Sequence, residues 1–179
     1  MPQMRALGPG SVSSFLKTVL DVVHIALWFG LVAAILLIFI AVVVGFNPAL
    51  LGELHVNLPG LEAPERWPLV VGRLTAFSIY LFGILVIVRQ WQGIFATLMA
   101  KDPFDPVNVT HLRIIALALA GIEIGRYAVF VARAVLRPGG HGLQPGLSLT
   151  AWFSVLVVFV LAEVFREGSR LRREAELTI

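Results

Sequence analysis

Glu123 and Arg126 stand three residues apart inside ALALAGIEIGRYAVFVARAV, a stretch that is otherwise apolar. On a helix, positions i and i+3 share a face, so carboxylate and guanidinium can pair. A charge at the centre of a bilayer costs about 2.5–3.5 kcal/mol on insertion scales. Pairing lowers that cost without removing it, because both groups still lose water. Two chemistries suit such a pair: an internal tie that fixes helix register, or a polar pocket for a proton, an ion or a small ligand. Other polar side chains fall at comparable depth if the neighbouring stretches are helices. At about 1.5 Å per residue, Ser78 and Tyr80 lie roughly 13 and 16 Å from the outer edge of their stretch, Arg126 and Glu123 roughly 14 and 18 Å, and Ser154 about 10 Å. A buried cluster of Ser78, Tyr80, Glu123, Arg126 and Ser154 is therefore allowed. Beside the charges, Gly121, Gly125, Ala128 and Ala132 form a small-residue series of the kind that lets membrane helices approach closely.

Two further constellations carry chemistry in principle. His24 and His111 sit at similar depth near the same ends of two apolar stretches, and two axial imidazoles from different helices can hold a haem. No other haem signal accompanies them, and interfacial, solvated histidines are the ordinary alternative. Asp102 and Asp105 each precede a proline in KDPFDPVN. A residue before proline is pushed out of the helical region, and Asp followed by Pro suits the N-cap and first position of a helix. Capping is the expected role of these acids, since no third metal ligand stands at a recognisable spacing. No metal site is expected.

These residues must be positioned by elements that live in lipid. Of 179 residues, 58% are hydrophobic and only 14% charged, about half the charged share of a soluble domain. Cysteine is absent, which removes disulfides, thiolate metal sites and thiol nucleophiles. About 20 apolar residues cross a hydrocarbon core as helix, and four stretches meet or approach that length, at about 22–46, 69–90, 112–136 and 147–166. The expectation is an all-α, four-helix integral membrane protein forming one membrane domain, a four-helix bundle, with a tail at 167–179. The first stretch is too long for a signal-peptide core of about 7–15 residues and lacks a small-x-small cleavage site, so it is expected to stay as an anchor.

Lysine and arginine set the expected orientation. With both termini cytoplasmic, the inner side holds Arg5, Lys17, Arg89, Lys101, Arg113, Arg166, Arg170, Arg172 and Arg173, and the outer side only Arg66, Arg73, Arg133 and Arg137. Val88, Trp91, Phe95 and Leu98 recur at helical spacing past the second span, so that helix should run on to about residue 100, with Trp91 as an interfacial anchor. The fourth should likewise continue into the cytoplasm along Phe165, Gly168, Leu171 and Ala175, as a basic tail near anionic lipid. Lys17 and Asp21, four apart at the entrance of the first span, read as an interfacial pair.

Two segments on that inner side carry a resemblance. Pro103, Phe104, Asn108, Leu112 and Arg113 give PF-x-x-x-N-x-x-x-LR, and Phe165, Gly168, Leu171, Glu174, Leu177, Thr178 and Ile179 give F-x-x-G-x-x-L-x-x-E-x-x-LTI. Together they resemble domain-of-unknown-function family 2975, the YoaS-like bacterial membrane proteins, and the four-span layout agrees over nearly the whole chain. Asp102 departs from the pattern, where Gly is expected. The resemblance implies four-helix membrane proteins without an established activity, whose genes lie near Xre-type helix-turn-helix regulators, and so implies a cytoplasmic protein partner. We expect the PFDPVN turn to pack on the F-x-x-G-x-x-L tail, with Gly168 permitting the approach.

The sequence contains no nucleophile–base pair, phosphate loop or H-E-x-x-H, and no basic patch with interleaved aromatics for direct nucleic-acid binding. The leading expectation is a non-enzymatic protein of the cell (inner or plasma) membrane, a sensor or anchor for a cytoplasmic partner. The alternative is a small transporter or channel component that uses Glu123 and Arg126 and must form a homo-oligomer, since four helices are few for a pathway.

Overall fold

Long apolar runs without internal proline leave helix as the way to satisfy the backbone in lipid, and four helices form. In a computed structural model, which describes residues 12–47, 67–100, 102–136 and 148–177, they are α1 (Val12–Phe46), α2 (Trp67–Met99), α3 (Pro106–Leu136) and α4 (Leu149–Leu177). Each is long and apolar enough to cross a membrane. Much of their apolar surface is unburied within the chain: Phe29 is 73% exposed, Phe39 66% and Leu156 59%. An apolar surface this continuous belongs against hydrocarbon, not water. The two Gly/Pro-rich connections expected outside, within 48–66 and 137–147, lie outside the described residues, as do Thr178 and Ile179.

All four helices outrun their expected spans. Helix α1 begins ten residues earlier than residue 22. Helix α2 continues to Met99, as the Val88–Leu98 periodicity predicts. Helix α4 runs unbroken from Leu149 through the tail to Leu177. At about 1.5 Å per residue, α2 and α4 measure roughly 50 and 43 Å, against a hydrocarbon core of roughly 30 Å.

Two compact units make up the chain. One comprises Ala26–Phe82; the other comprises Met1–Ile25 and Gly83–Ile179. Within the first, Trp67 is buried with Ala41 and Val44, flanked by Val70, Val71 and Leu74. Its ring stands beside Gly45, where a Cβ would meet Trp67 at ordinary contact distance.

Within the second unit, α2 returns as α3 through the short turn at 100–105, and the two run antiparallel: Gly83 faces Ile122, Gly93 faces His111, and Thr97 meets Asn108. Helix α4 packs on α3 through Val155, Ala162 and Ser169, buried at seven-residue spacing. A seven-residue seam is the repeat of low-angle, left-handed helix pairs. The buried positions on α3 are Asn108, Val109, Leu112, Ile115, Ala116 and Glu123.

The small-residue series on α3 does not receive a helix among the described residues: nothing lies within 4 Å of a Cβ placed on Gly121 or Gly125. The close approaches fall on α2 instead. A Cβ on Gly83 would lie 2.8 Å from Ile122 Cγ1, and one on Gly93 2.6 Å from His111 Nε2. The apolar seam of α3 carries larger side chains, so it is the partner helix that must be small.

Candidate functional site

The turn between α2 and α3 is built from backbone closure upward. The Asp102 amide donates to the Thr97 carbonyl at 3.0 Å and the Ala100 amide to Ala96 at 3.0 Å, which ends α2. Asp105 then caps α3: its carboxylate accepts from the Val107 amide at 2.8 Å, and its carbonyl accepts from the Asn108 amide at 2.9 Å. Pro106 is the first helical residue, where its missing N–H costs nothing.

Asn108 locks this turn. It is 1% exposed, and both ends of its amide are used. Its Nδ2 donates to the Pro103 carbonyl at 3.0 Å, and its Oδ1 accepts from the Thr97 hydroxyl at 2.9 Å. That hydroxyl also stands 2.8 Å from the Ile94 carbonyl, so one proton serves two acceptors. A buried amide left unsatisfied would cost about 1–3 kcal/mol; here the amide joins the end of α2, the turn and the start of α3.

The turn is in turn clamped to α4. The Phe104 ring lies on Gly168 so closely that a Cβ there would stand 2.8 Å from both Cδ1 and Cε1. Phe104 also pairs with Phe165, centroids 5.8 Å apart at 43°. The Ser169 hydroxyl reaches the Phe104 carbonyl at 2.6 Å and its own-helix Phe165 carbonyl at 2.9 Å. Asp102 forms an ion pair with Arg172, which also donates to Glu176 at 3.0 Å. Asp102 thus tethers the turn to the tail. Leu171 and Leu177 stay exposed, and so does Arg113.

The Glu123–Arg126 pair forms on α3. Arg126 Nη2 donates to Glu123 Oε1 at 2.5 Å and its Nε to Oε2 at 3.1 Å, a two-pronged pair. The guanidinium carbon sits 5.0 Å over the Tyr127 ring. The Tyr127 hydroxyl accepts from the Ser148 amide at 3.3 Å, at the head of α4. Ser154 does not join the pair: its hydroxyl donates to the Thr150 carbonyl at 2.8 Å. Ser78 likewise donates to Leu74 at 2.9 Å, and Ser78 and Tyr80 belong to the other compact unit. Serines inside long apolar helices satisfy themselves on the i−4 carbonyl, which removes the reason to cluster. Among the described residues the polar group is Glu123, Arg126, Tyr127 and the Ser148 backbone.

His111 is engaged between α2 and α3. His111 Nδ1 is 2.6 Å from Gln90 Oε1, and its Nε2 side is pressed against the Gly93 backbone. An iron on Nε2 has no room there; His111 is a packing residue between α2 and α3. Asp21 does not hold Lys17: it accepts from Gln92 Nε2 of α2 at 2.9 Å. Among the described residues no three His, Asp or Glu side chains converge on a metal-sized space.

Sequence reasoning overlooked Gln90, Gln92, Thr97 and Ser169. The first three lie off the Val88–Leu98 stripe of α2, where a polar side chain signals contact with another helix as readily as with solvent. Ser169, next to the motif glycine, carried no separate signal.

Neither a curated protein nor a solved structure matches the chain. Residues 56–179, which include the turn, its clamp on α4 and the Glu123–Arg126 pair, match the family model described as Protein of unknown function (DUF2975), and the chain belongs to that family.

Proposed function

We propose that the chain is a non-enzymatic, multi-pass protein of the cell membrane that anchors a cytoplasmic protein partner, or senses for it. The observation that carries this reading is the clamped turn. Asn108, Phe104, Gly168 and Ser169 fix the end of α2 to the tail of α4, which makes one firm surface from both family signatures. The lysine and arginine distribution supports placing that surface and both termini in the cytoplasm. A helix-turn-helix regulator of the Xre type is the partner class the family resemblance implies. The test is co-purification from gently solubilised membranes with such a regulator co-expressed. The wild-type chain retains it and Gly168→Leu loses it. Equal retention by both, or none by the wild type, refutes the reading. A reporter fused after Ile179 should be active in the cytoplasm; activity outside refutes the orientation.

One observation favours a second reading, a small oligomeric transport component. The buried Glu123 carboxylate is linked through Arg126 and Tyr127 to the head of α4, a polar thread in an apolar setting. Ion flux in liposomes that is lost in Glu123→Gln would support transport; absence of flux in the wild type would remove it.

A further inference from the structure

A shallow groove of about 610 Å³ runs between the first turns of α3 and the last turns of α4, and reaches Ser169 of the clamp. Four arginines and two glutamates line it: Arg113 from α3, and Arg166, Arg170, Arg173, Glu167 and Glu174 from α4, so arginine is in excess by two. Two arginines are already engaged. Arg166 pairs with Glu163, and Arg170 pairs with Glu167 at 2.6 Å and with Glu174 at 3.6 Å. The other two are not: among the described residues Arg113 and Arg173 form no hydrogen bond or ion pair. Two unneutralised guanidiniums from different helices, facing one groove, form a receptor for a doubly coordinated anion.

What continues from the groove identifies the occupant. Following the helical repeat of α3 away from Arg113 leads to Leu117, Gly121 and Ile124; both large side chains are more than half exposed, and nothing lies within 4 Å of a Gly121 Cβ. Following α4 away from Arg166 leads past Glu163 to Phe159 and Leu156, also exposed. The basic groove therefore opens directly onto a bare apolar wall with a shallow rut at Gly121. An acidic peptide has no use for that wall, and a free phosphate would not reach it. A molecule with one anionic head and hydrocarbon tails fits both parts.

We propose that this groove is a binding site for an anionic phospholipid, its phosphate held between Arg113 and Arg173 and its acyl chains laid along Leu117, Gly121 and Ile124. The site does not depend on any protein partner. A basic side chain near a membrane surface contributes enough for each arginine to change affinity several-fold, so the pair should account for about ten- to thirtyfold.

The test uses the full chain purified in neutral detergent, with bound lipid read by native mass spectrometry. The probes are phosphatidylglycerol, phosphatidylcholine of equal chain length, and inorganic phosphate. The wild type should retain phosphatidylglycerol at least tenfold better than phosphatidylcholine. Arg113→Gln with Arg173→Gln should abolish that preference. Arg73→Gln with Arg89→Gln, the same loss of charge outside the groove, should keep it. So should Arg113→Lys with Arg173→Lys, which also controls for folding. The proposal is overturned if the wild type binds both lipids equally, if the glutamine pair at 113 and 173 keeps the preference, or if the lysine pair loses it as completely as the glutamine pair. Displacement of phosphatidylglycerol by inorganic phosphate at equal concentration would show a free-anion site instead and would also overturn it.

Discussion

Gly168→Ala sets two physical effects of opposite sign against each other. Helix α4 is continuous through residue 168, and replacing a mid-helix glycine by alanine ordinarily stabilises by about 1 kcal/mol. The added Cβ, however, would stand 2.8 Å from Phe104 Cδ1 and Cε1, well inside the ordinary carbon–carbon separation of about 3.5–4.0 Å. A ring that swings away from Phe165 forfeits an aromatic pair of about 0.5–1.5 kcal/mol. Alternatively the turn shifts and lengthens the 2.6 Å Ser169–Phe104 hydrogen bond, which contributes about 1 kcal/mol. Overpacking of this kind costs about 1–3 kcal/mol. The net effect of Gly168→Ala should be destabilisation by up to about 2 kcal/mol. In a Phe104→Ala background the obstacle is gone, and the same substitution should stabilise by about 1 kcal/mol. The readout is reversible unfolding of the detergent-solubilised chain in a double-mutant cycle, together with proteolysis of the tail, which Gly168→Ala should accelerate with Phe104 present and not accelerate further in the Phe104→Ala background. If Gly168→Ala stabilises the wild type as much as it stabilises Phe104→Ala, the contact carries no energy and the clamp reasoning fails.

Three further outcomes follow from the same geometry. Asn108→Leu strands the Pro103 carbonyl and should lower stability by about 1–3 kcal/mol in the same unfolding assay, more than Thr97→Val, which removes one partner of a shared proton. Gly121→Ala should stabilise by up to about 1 kcal/mol and Gly93→Ala should destabilise, because the first Cβ enters open space and the second meets His111 at 2.6 Å; equal effects would contradict the α2–α3 packing. Arg172→Ala should lower stability only slightly, with a difference from wild type that shrinks at high salt, since the Asp102–Arg172 pair is partly exposed.

The four helices were legible because apolar length is a strong, local signal: α2 and α4 run past their spans as the Val88–Leu98 and Phe165–Ala175 stripes indicate. The α3 start was legible because Asp105 and Pro106 act through the backbone nearest to them. The Phe104–Gly168 contact could be anticipated from motif residues alone, since an aromatic on a turn and a glycine on a helix are complementary shapes. What failed to show was long-range direction. Nothing local says that Gln90 points to His111, that Gln92 points to Asp21, or that the Glu123 pair extends to Tyr127 and Ser148 rather than to Ser154. In an all-apolar helix each azimuth looks alike, so the seam is set by partner packing, and only the buried heptad Val155, Ala162 and Ser169 reveals it.

Helix α4 has no proline or break between Leu149 and Leu177, and only its far half is fastened to the turn. It therefore behaves as a stiff lever. A tilt of about 5° about its Ser148 end would sweep Leu177 sideways by about 4 Å over a length of roughly 43 Å. Such a stroke exceeds the diameter of a water molecule, and the fastened turn would have to travel with it. Thickening or thinning of the bilayer, which helices accommodate by changing inclination, would in this way be converted into lateral displacement of the protein's far end.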